Sequence, residues 1–295
     1  MSEQPHKLQP MGILDILKTT IKLYQENFAL FLEIVAILFA PIIILSGLWP
    51  GQFAQVPLLL NFLIIITMAV ATEALTLAVC GNYLNEQLTL KQVLERIKQY
   101  GLFTILSATV LVALLVVGFD IIRIGLLRIG IIGGILLVPT VSVFLWILVN
   151  WSLFVQSITI EKRSVIDSLR RSKEMVGQSW WRVFGLLLVL ALSIFISMWI
   201  AGAIGEGITN APTAGLVFSL LAIVFTAPLY IIGTTLLYFD LRVRKEDFNK
   251  EWLAQHLKVV EAPVREKAID ENYERKTNAL YIVLAANLFL IALKF

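Results

Sequence analysis

SVIDSLRRSKEMVGQSWWRV, residues 164–183, stands between two long apolar blocks and carries a dense charge cluster, Asp167, Arg170, Arg171, Lys173 and Glu174, directly before Trp180, Trp181 and Arg182. Its spacing predicts a helix. Val165, Leu169, Ser172 and Val176 recur every three or four residues with Ile166 beside them, so one stripe is apolar while the basic residues take the other side. A basic amphipathic helix followed by tryptophans and then by more than twenty apolar residues describes a helix lying on a membrane surface that turns down into the membrane.

The rest of the chain agrees with that reading. Of 295 residues, 58% are hydrophobic and 15% charged, and the mean hydropathy is +0.84, far from the range of water-soluble domains. An all-α integral membrane protein follows. Six stretches approach the ~20 apolar residues that cover a hydrocarbon core: about Phe28 to Leu48, Val56 to Val79, Leu102 to Phe119, Gly130 to Trp151, Val183 to Ile204 and Gly215 to Phe239. Residues 279–295 form a shorter candidate seventh span after a cytoplasmic helical tail over 246–277. The opening residues lack the apolar core and cleavage site of a secretory signal, so the first span is expected to direct targeting.

Lysine and arginine set the orientation, because short cytoplasmic loops retain them. Three precede the first span, three lie in 81–101, six in 161–182 and nine in 240–276. The alternate loops hold only Arg123 and Arg128. The expected placement is a plasma membrane of bacterial (inner-membrane) type with the N-terminus in the cytoplasm.

An internal repeat shapes the fold expected for residues 1–245. Gly12 to Leu17 leads into the first span, Thr89 to Leu94 into the third and Ser164 to Leu169 into the fifth. Each unit, approximately 11–80, 88–160 and 164–240, reads as an amphipathic surface helix followed by a helical hairpin. In the second, Leu90, Val93, Leu94 and Ile97 mark one face. Three like hairpins predict approximate threefold character. Residues 249–257 resemble the start of a fourth surface helix.

Two stretches carry a more particular likeness: Ser168 to Ser172 leading to Gly177 to Gly185 with its tryptophan pair, and Ala227 to Tyr230 through Leu237 to Glu246. Together they resemble the membrane-domain family named for its fusion to glycerophosphoryl diester phosphodiesterases. Ser168 stands where that family usually has alanine, and Met175 where it has leucine. The chain contains no phosphodiesterase domain, so the resemblance implies a stand-alone membrane domain and no catalytic motif. Lys276 to Phe295 resembles the first span of cation-diffusion-facilitator transporters, without any of their metal-binding residues.

Several groups are candidates for chemistry. Glu33 and Glu73 are ionisable residues within spans, where a carboxylate is costly unless paired; the choice is between pairing with Arg170, Arg171 or Arg182 and a proton or ion relay. Asn61 and Asn150 suit hydrogen bonds between helices. Arg170, Arg171, Lys173 and Arg182, with Trp180 and Trp181, suit anionic headgroups, since guanidinium matches phosphate and indoles sit at headgroup depth; the alternative is topology-setting charge beside an aromatic belt. Asp240, Arg242, Arg244 and Glu246 alternate at the exit of the sixth span, as an ion-pair network or a second headgroup contact. Glycines 202, 205 and 207 read as loop formers.

Enzyme chemistry finds no support. There is no G-x-S-x-G elbow, H-E-x-x-H or Walker loop. Cys80 is the single cysteine and His6 and His256 the two histidines, so no metal site or cofactor is implied. A net charge of +3 says nothing for nucleic acid. The expected function is non-enzymatic: binding or organising anionic phospholipid, or a protein partner or second copy, at the cytoplasmic face. The alternative is a small-molecule or lipid transporter with a path lined by Glu33, Glu73 and Asn150.

Overall fold

The computed structural model of the chain describes residues 10–48, 57–86, 88–100, 102–246, 248 and 252–254. Among these, every regular element is an α-helix: α1 (Ile13–Glu26), α2 (Phe28–Leu48), α3 (Pro57–Tyr83), α4 (Leu90–Tyr100), α5 (Leu102–Leu127), α6 (Ile131–Trp151), α7 (Phe154–Glu161), α8 (Val165–Gly177), α9 (Trp180–Thr209) and α10 (Pro212–Lys245). Six are long and apolar enough to cross a membrane: α2, α3, α5, α6 continued by α7, α9 and α10. The protein is an all-α membrane protein. The candidate seventh span lies outside the described residues, as does most of the candidate fourth surface helix.

The three helices that precede hairpins, α1, α4 and α8, begin with related capping bonds. The N3 side chains Asp15 and Gln92 accept the backbone N–H of Gly12 and Thr89, at 3.0 and 2.8 Å, while Ser164 Oγ meets Asp167 Oδ2 at 2.6 Å. Thr89 and Ser164 hydroxyls accept in turn from the Gln92 and Asp167 N–H groups. Each pairing satisfies donors that a helix start leaves open. The likeness of the three hexapeptides thus has a local physical cause.

Neighbours follow a cyclic order. The second helix of each hairpin packs on the first helix of the next: α3 on α5, α6 on α9, α10 on α2. Each short helix sits at one of these junctions, α1 against α10 and α2, α4 against α3 and α5, α8 against α6 and α9. The ring is unequal. The α9–α10 pairing is the most extensive, the α6–α9 seam is thin, and α3 and α10 also meet across the centre, where they are the most enclosed spans.

α1 does not lie flat across the end of the bundle. The Met11 N–H reaches Asp240, Thr20 lies beside Gly233, and the Tyr24 hydroxyl donates to the Phe225 carbonyl at 2.9 Å, so α1 runs antiparallel along the last half of α10. Phe225 lies in the turn that Pro228 opens. The proline deprives the Val224 carbonyl of its helical donor, and Tyr24 donates to the adjacent carbonyl of the same turn.

Several sequence expectations need correction. Helices outrun the apolar counts: α5 continues through Asp120, so most of the expected outer loop 120–129 is helical, with Arg123 and Asp120 paired at 2.9 Å. Gly202, Gly205 and Gly207 lie inside α9 and form no loop, because that helix extends to Thr209. Ile166 faces away from the bundle at 68% exposure; the buried face of α8 is instead Ser168, Ser172, Met175 and Val176.

Candidate functional site

The end of the bundle that carries the short helices holds two linked charge clusters. The first is built on Asp240, fully buried near the end of α10. It accepts the Met11 N–H at 2.7 Å, Arg182 Nη2 at 2.8 Å and Arg244 Nε at 2.9 Å. Arg182 and Arg244 also donate to the Met11 carbonyl, so one carboxylate and two guanidiniums tie the entry of α1, the first turn of α9 and the end of α10 together.

The second cluster is a closed square of alternating charge. Arg171 of α8 pairs with Glu161 at 3.1 Å and with Glu246; Arg242 of α10 pairs with Glu246 at 3.0 Å and with Glu161 at 3.6 Å. Glu161 further takes Arg163 at 2.5 Å and the Tyr238 hydroxyl. Burial alone would lower the pKa of Arg171, but the Glu246 hydrogen bond and the charges of Glu161 and Glu246 outweigh it and hold the pKa above its ordinary value. The Arg242 guanidinium lies 4.3 Å from the ring centroid of Phe248 and 4.0 Å from that of Trp252, a cation–π pairing on both.

Ser172 explains why α8 docks where it does. The span breaks between α6 and α7 at residues 152–153, leaving backbone groups without helical partners. Ser172 Oγ donates to the Asn150 carbonyl at 2.7 Å and accepts the Leu153 N–H at 3.1 Å, filling that break from outside.

Between the end of α8 and the end of α10 lies an open pocket of about 810 Å3. Arg170, Arg171, Lys173, Arg244 and Lys245 line it against only Glu174 and Glu246, so five cationic groups face two carboxylates. Lys245 Nζ donates to the Glu174 and Met175 carbonyls at 2.9 and 2.8 Å, covering the negative end of α8. Arg170 is exposed and takes part in none of the described ion pairs, while Lys173 Nζ lies 5.7 Å from the Trp146 ring. In the first turn of α9, Trp181 is 77% exposed and Trp180 stacks on Phe184 at 5.1 Å.

The structure therefore gathers Arg170, Arg171, Lys173 and Arg244 into one pocket. Arg182 and Arg242 stand behind it, spent on Asp240, Glu161 and Glu246. The intramembrane candidates do not behave as a group. Glu33 is exposed on the face of α2 that also carries Ile37, Pro41 and Ile44, whereas Glu73 is fully buried in α3. Neither is paired with Arg170, Arg171 or Arg182: Arg171 holds Glu161 at the end of α7, Arg182 holds Asp240 of α10, and both oxygens of Glu73 lack any partner. The Asn150 side chain bonds within its own helix, to the Trp146 carbonyl at 2.7 Å; its backbone carbonyl makes the contact between helices. Asn61 lies in α3, and its side chain falls outside the described residues.

Glu161, Tyr238 and Ser172 were missed in the sequence. Glu161 closes an apolar run immediately before Lys162 and Arg163, which made it look like one more boundary charge; an acid that ends a span beside two bases was the available signal. Comparison with known families, with curated proteins and with solved structures finds no match to this chain.

Proposed function

We propose that this is a non-enzymatic membrane protein that holds the phosphate of an anionic phospholipid headgroup in the pocket between α8 and α10, on the cytoplasmic side. The observation that carries the reading is the excess of positive charge in an open pocket whose rear wall is already neutralised. Arg171 and Arg244 are fixed in place by Glu246 and Asp240, so they present charge without having to be ordered. Arg170 and Lys173 are the cations left for a ligand. Trp181, exposed in the first turn of α9, suits headgroup depth. The resemblance of the same two stretches to the phosphodiesterase-associated membrane domains agrees with a shared role for them.

The test is native mass spectrometry of the protein in mild detergent with phosphatidylglycerol or cardiolipin, comparing wild type with Arg170→Gln/Lys173→Gln. Arg171 is left intact, because removing it would open the buried charge square. At ~1 kcal/mol per charge near an anionic surface, the double variant is expected to bind roughly 30-fold more weakly. Equal retention of lipid by both proteins overturns the reading.

A further inference from the structure

Glu73 lies on a stripe of α3, Ala69, Glu73, Thr76, Cys80 and Tyr83, that repeats every three or four residues and is buried throughout. At one end Ala69 belongs to an apolar cluster with Ile105 of α5 and Val155 and Ile158 of α7. Further along, Thr76 bonds Thr235 of α10 at 3.1 Å. Glu73 sits between these two contacts, on the side of α3 where α7 and α10 meet.

No described donor of that region reaches Glu73. Thr234 and Thr235 hydroxyls give their protons to the Ile231 carbonyl at 3.0 and 2.8 Å, Thr159 gives its own to Val155, and the Gln156 amide nitrogen donates to Thr234 at 3.1 Å. Four oxygens remain without any hydrogen-bond partner: both of Glu73, Oε1 of Gln156 and Oγ of Ser157. All three residues are at most 1% exposed. A buried carboxylate without a donor is among the costliest arrangements in a protein, and more so in a membrane.

The charged and titratable groups on the elements around α3 do not relieve it. α2 carries only Glu33, which is exposed. On α4, Arg96 pairs with Glu86 at 3.1 Å and Lys91 with Glu95 at 4.0 Å, while the side chains of Lys98 and Tyr100 lie outside the described residues. On α5, Arg123 holds Asp120. On α7, Glu161 is held by Arg171, Arg163, Arg242 and Tyr238. On α10, Asp240, Arg242, Arg244 and Lys245 are committed to the clusters at the bundle end, and Tyr230 and Tyr238 bring no positive charge. Cys80 and Tyr83 on α3 itself bring none either.

We propose that Glu73, with Gln156 Oε1 and Ser157 Oγ, forms a site inside the bundle for one monovalent cation of the oxygen-seeking kind, a proton or a sodium ion. One positive charge makes the layer neutral, and a divalent ion would leave it charged. The site lies one turn from the Thr76–Thr235 bond that joins the two most enclosed helices, so its occupancy is linked to how α3 and α10 pack. This goes beyond the headgroup pocket and does not depend on it.

The experiment is infrared difference spectroscopy of the full chain in lipid nanodiscs, comparing wild type, Glu73→Gln and Gln156→Leu. One step exchanges choline chloride for sodium chloride at constant ionic strength and pH; the other changes pH without sodium. A change in a carboxyl stretching band on one of these steps, lost in Glu73→Gln, is expected. The step that produces it identifies the ion. Gln156→Leu should keep the band and shift its midpoint by at least tenfold in ion concentration. No response in wild type, the same response in Glu73→Gln, or an unshifted midpoint in Gln156→Leu overturns the proposal. If Glu73→Gln does not fold, the midpoint in Gln156→Leu decides.

Discussion

Arg182 in the first turn of α9 meets the buried carboxylate of Asp240 in α10 at 2.8 Å, and the same carboxylate holds the backbone of Met11 at 2.7 Å. Three segments far apart in sequence therefore share one anion. Asp240→Asn keeps the shape but leaves Arg182 and Arg244 facing each other without a counter-charge. Breaking a buried pair from one side costs about 3 kcal/mol or more. Thermal unfolding in detergent should show that loss, and limited proteolysis should cut more readily near Met11. An unchanged melting temperature would mean that the cluster contributes nothing to stability.

Ser172→Ala tests the break between α6 and α7. The substitution removes a donor from the Asn150 carbonyl and an acceptor from the Leu153 N–H, two buried backbone groups with no other described partner. The expected loss is about 1–3 kcal/mol. Ser168→Ala is the comparison, since that hydroxyl bonds only the Val165 carbonyl of its own helix at 2.7 Å. It should cost clearly less in the same unfolding assay.

Glu161→Gln and Glu246→Gln separate the two acids of the charge square. The Glu161 side chain is 6% exposed and serves three cations and a phenol, while that of Glu246 is 32% exposed and serves two cations. Glu161→Gln should therefore be the more destabilising by about 1–2 kcal/mol, because the charge removed is the more buried of the two, serves one cation more, and is least replaced by water. Equal losses would argue against burial as the controlling factor.

Much of this architecture is legible in the sequence because lipid imposes simple rules. Apolar length marked six spans, and the repeated hexapeptides beginning at Gly12, Thr89 and Ser164 marked the starts of α1, α4 and α8. What stayed hidden depends on the partner across the bundle. Arg171 reads as a surface cation until Glu161 and Glu246 are seen beside it, and the pairing of Arg242 with Glu246 was one of the two readings of its stretch while its reach to Glu161 was not. Glu73 reads either as a paired acid or as a relay until both its oxygens prove to be buried with no hydrogen-bond partner. Helix ends were also hidden, since apolar count sets the least length of a span and says little about where a helix stops.

The glycines of α9 show the consequence. A methyl group at Gly205 would lie 2.8 Å from the Ala214 carbonyl oxygen and from the Phe218 ring, and one at Gly202 would lie 2.6 Å from Ser219 Oγ. Small residues here let α9 and α10 approach closely, as they do between many membrane helices. Gly207, two positions on, has nothing within 4 Å of the same methyl. Gly205→Leu should therefore force the hairpin apart at backbone level and cost several kcal/mol, of the order of a badly overpacked core. Gly207→Ala should be neutral or gain about 0.5–1 kcal/mol from helix propensity. Thermal unfolding of the two variants side by side checks the difference. If both behave alike, the close contact between α9 and α10 is not what holds this hairpin together.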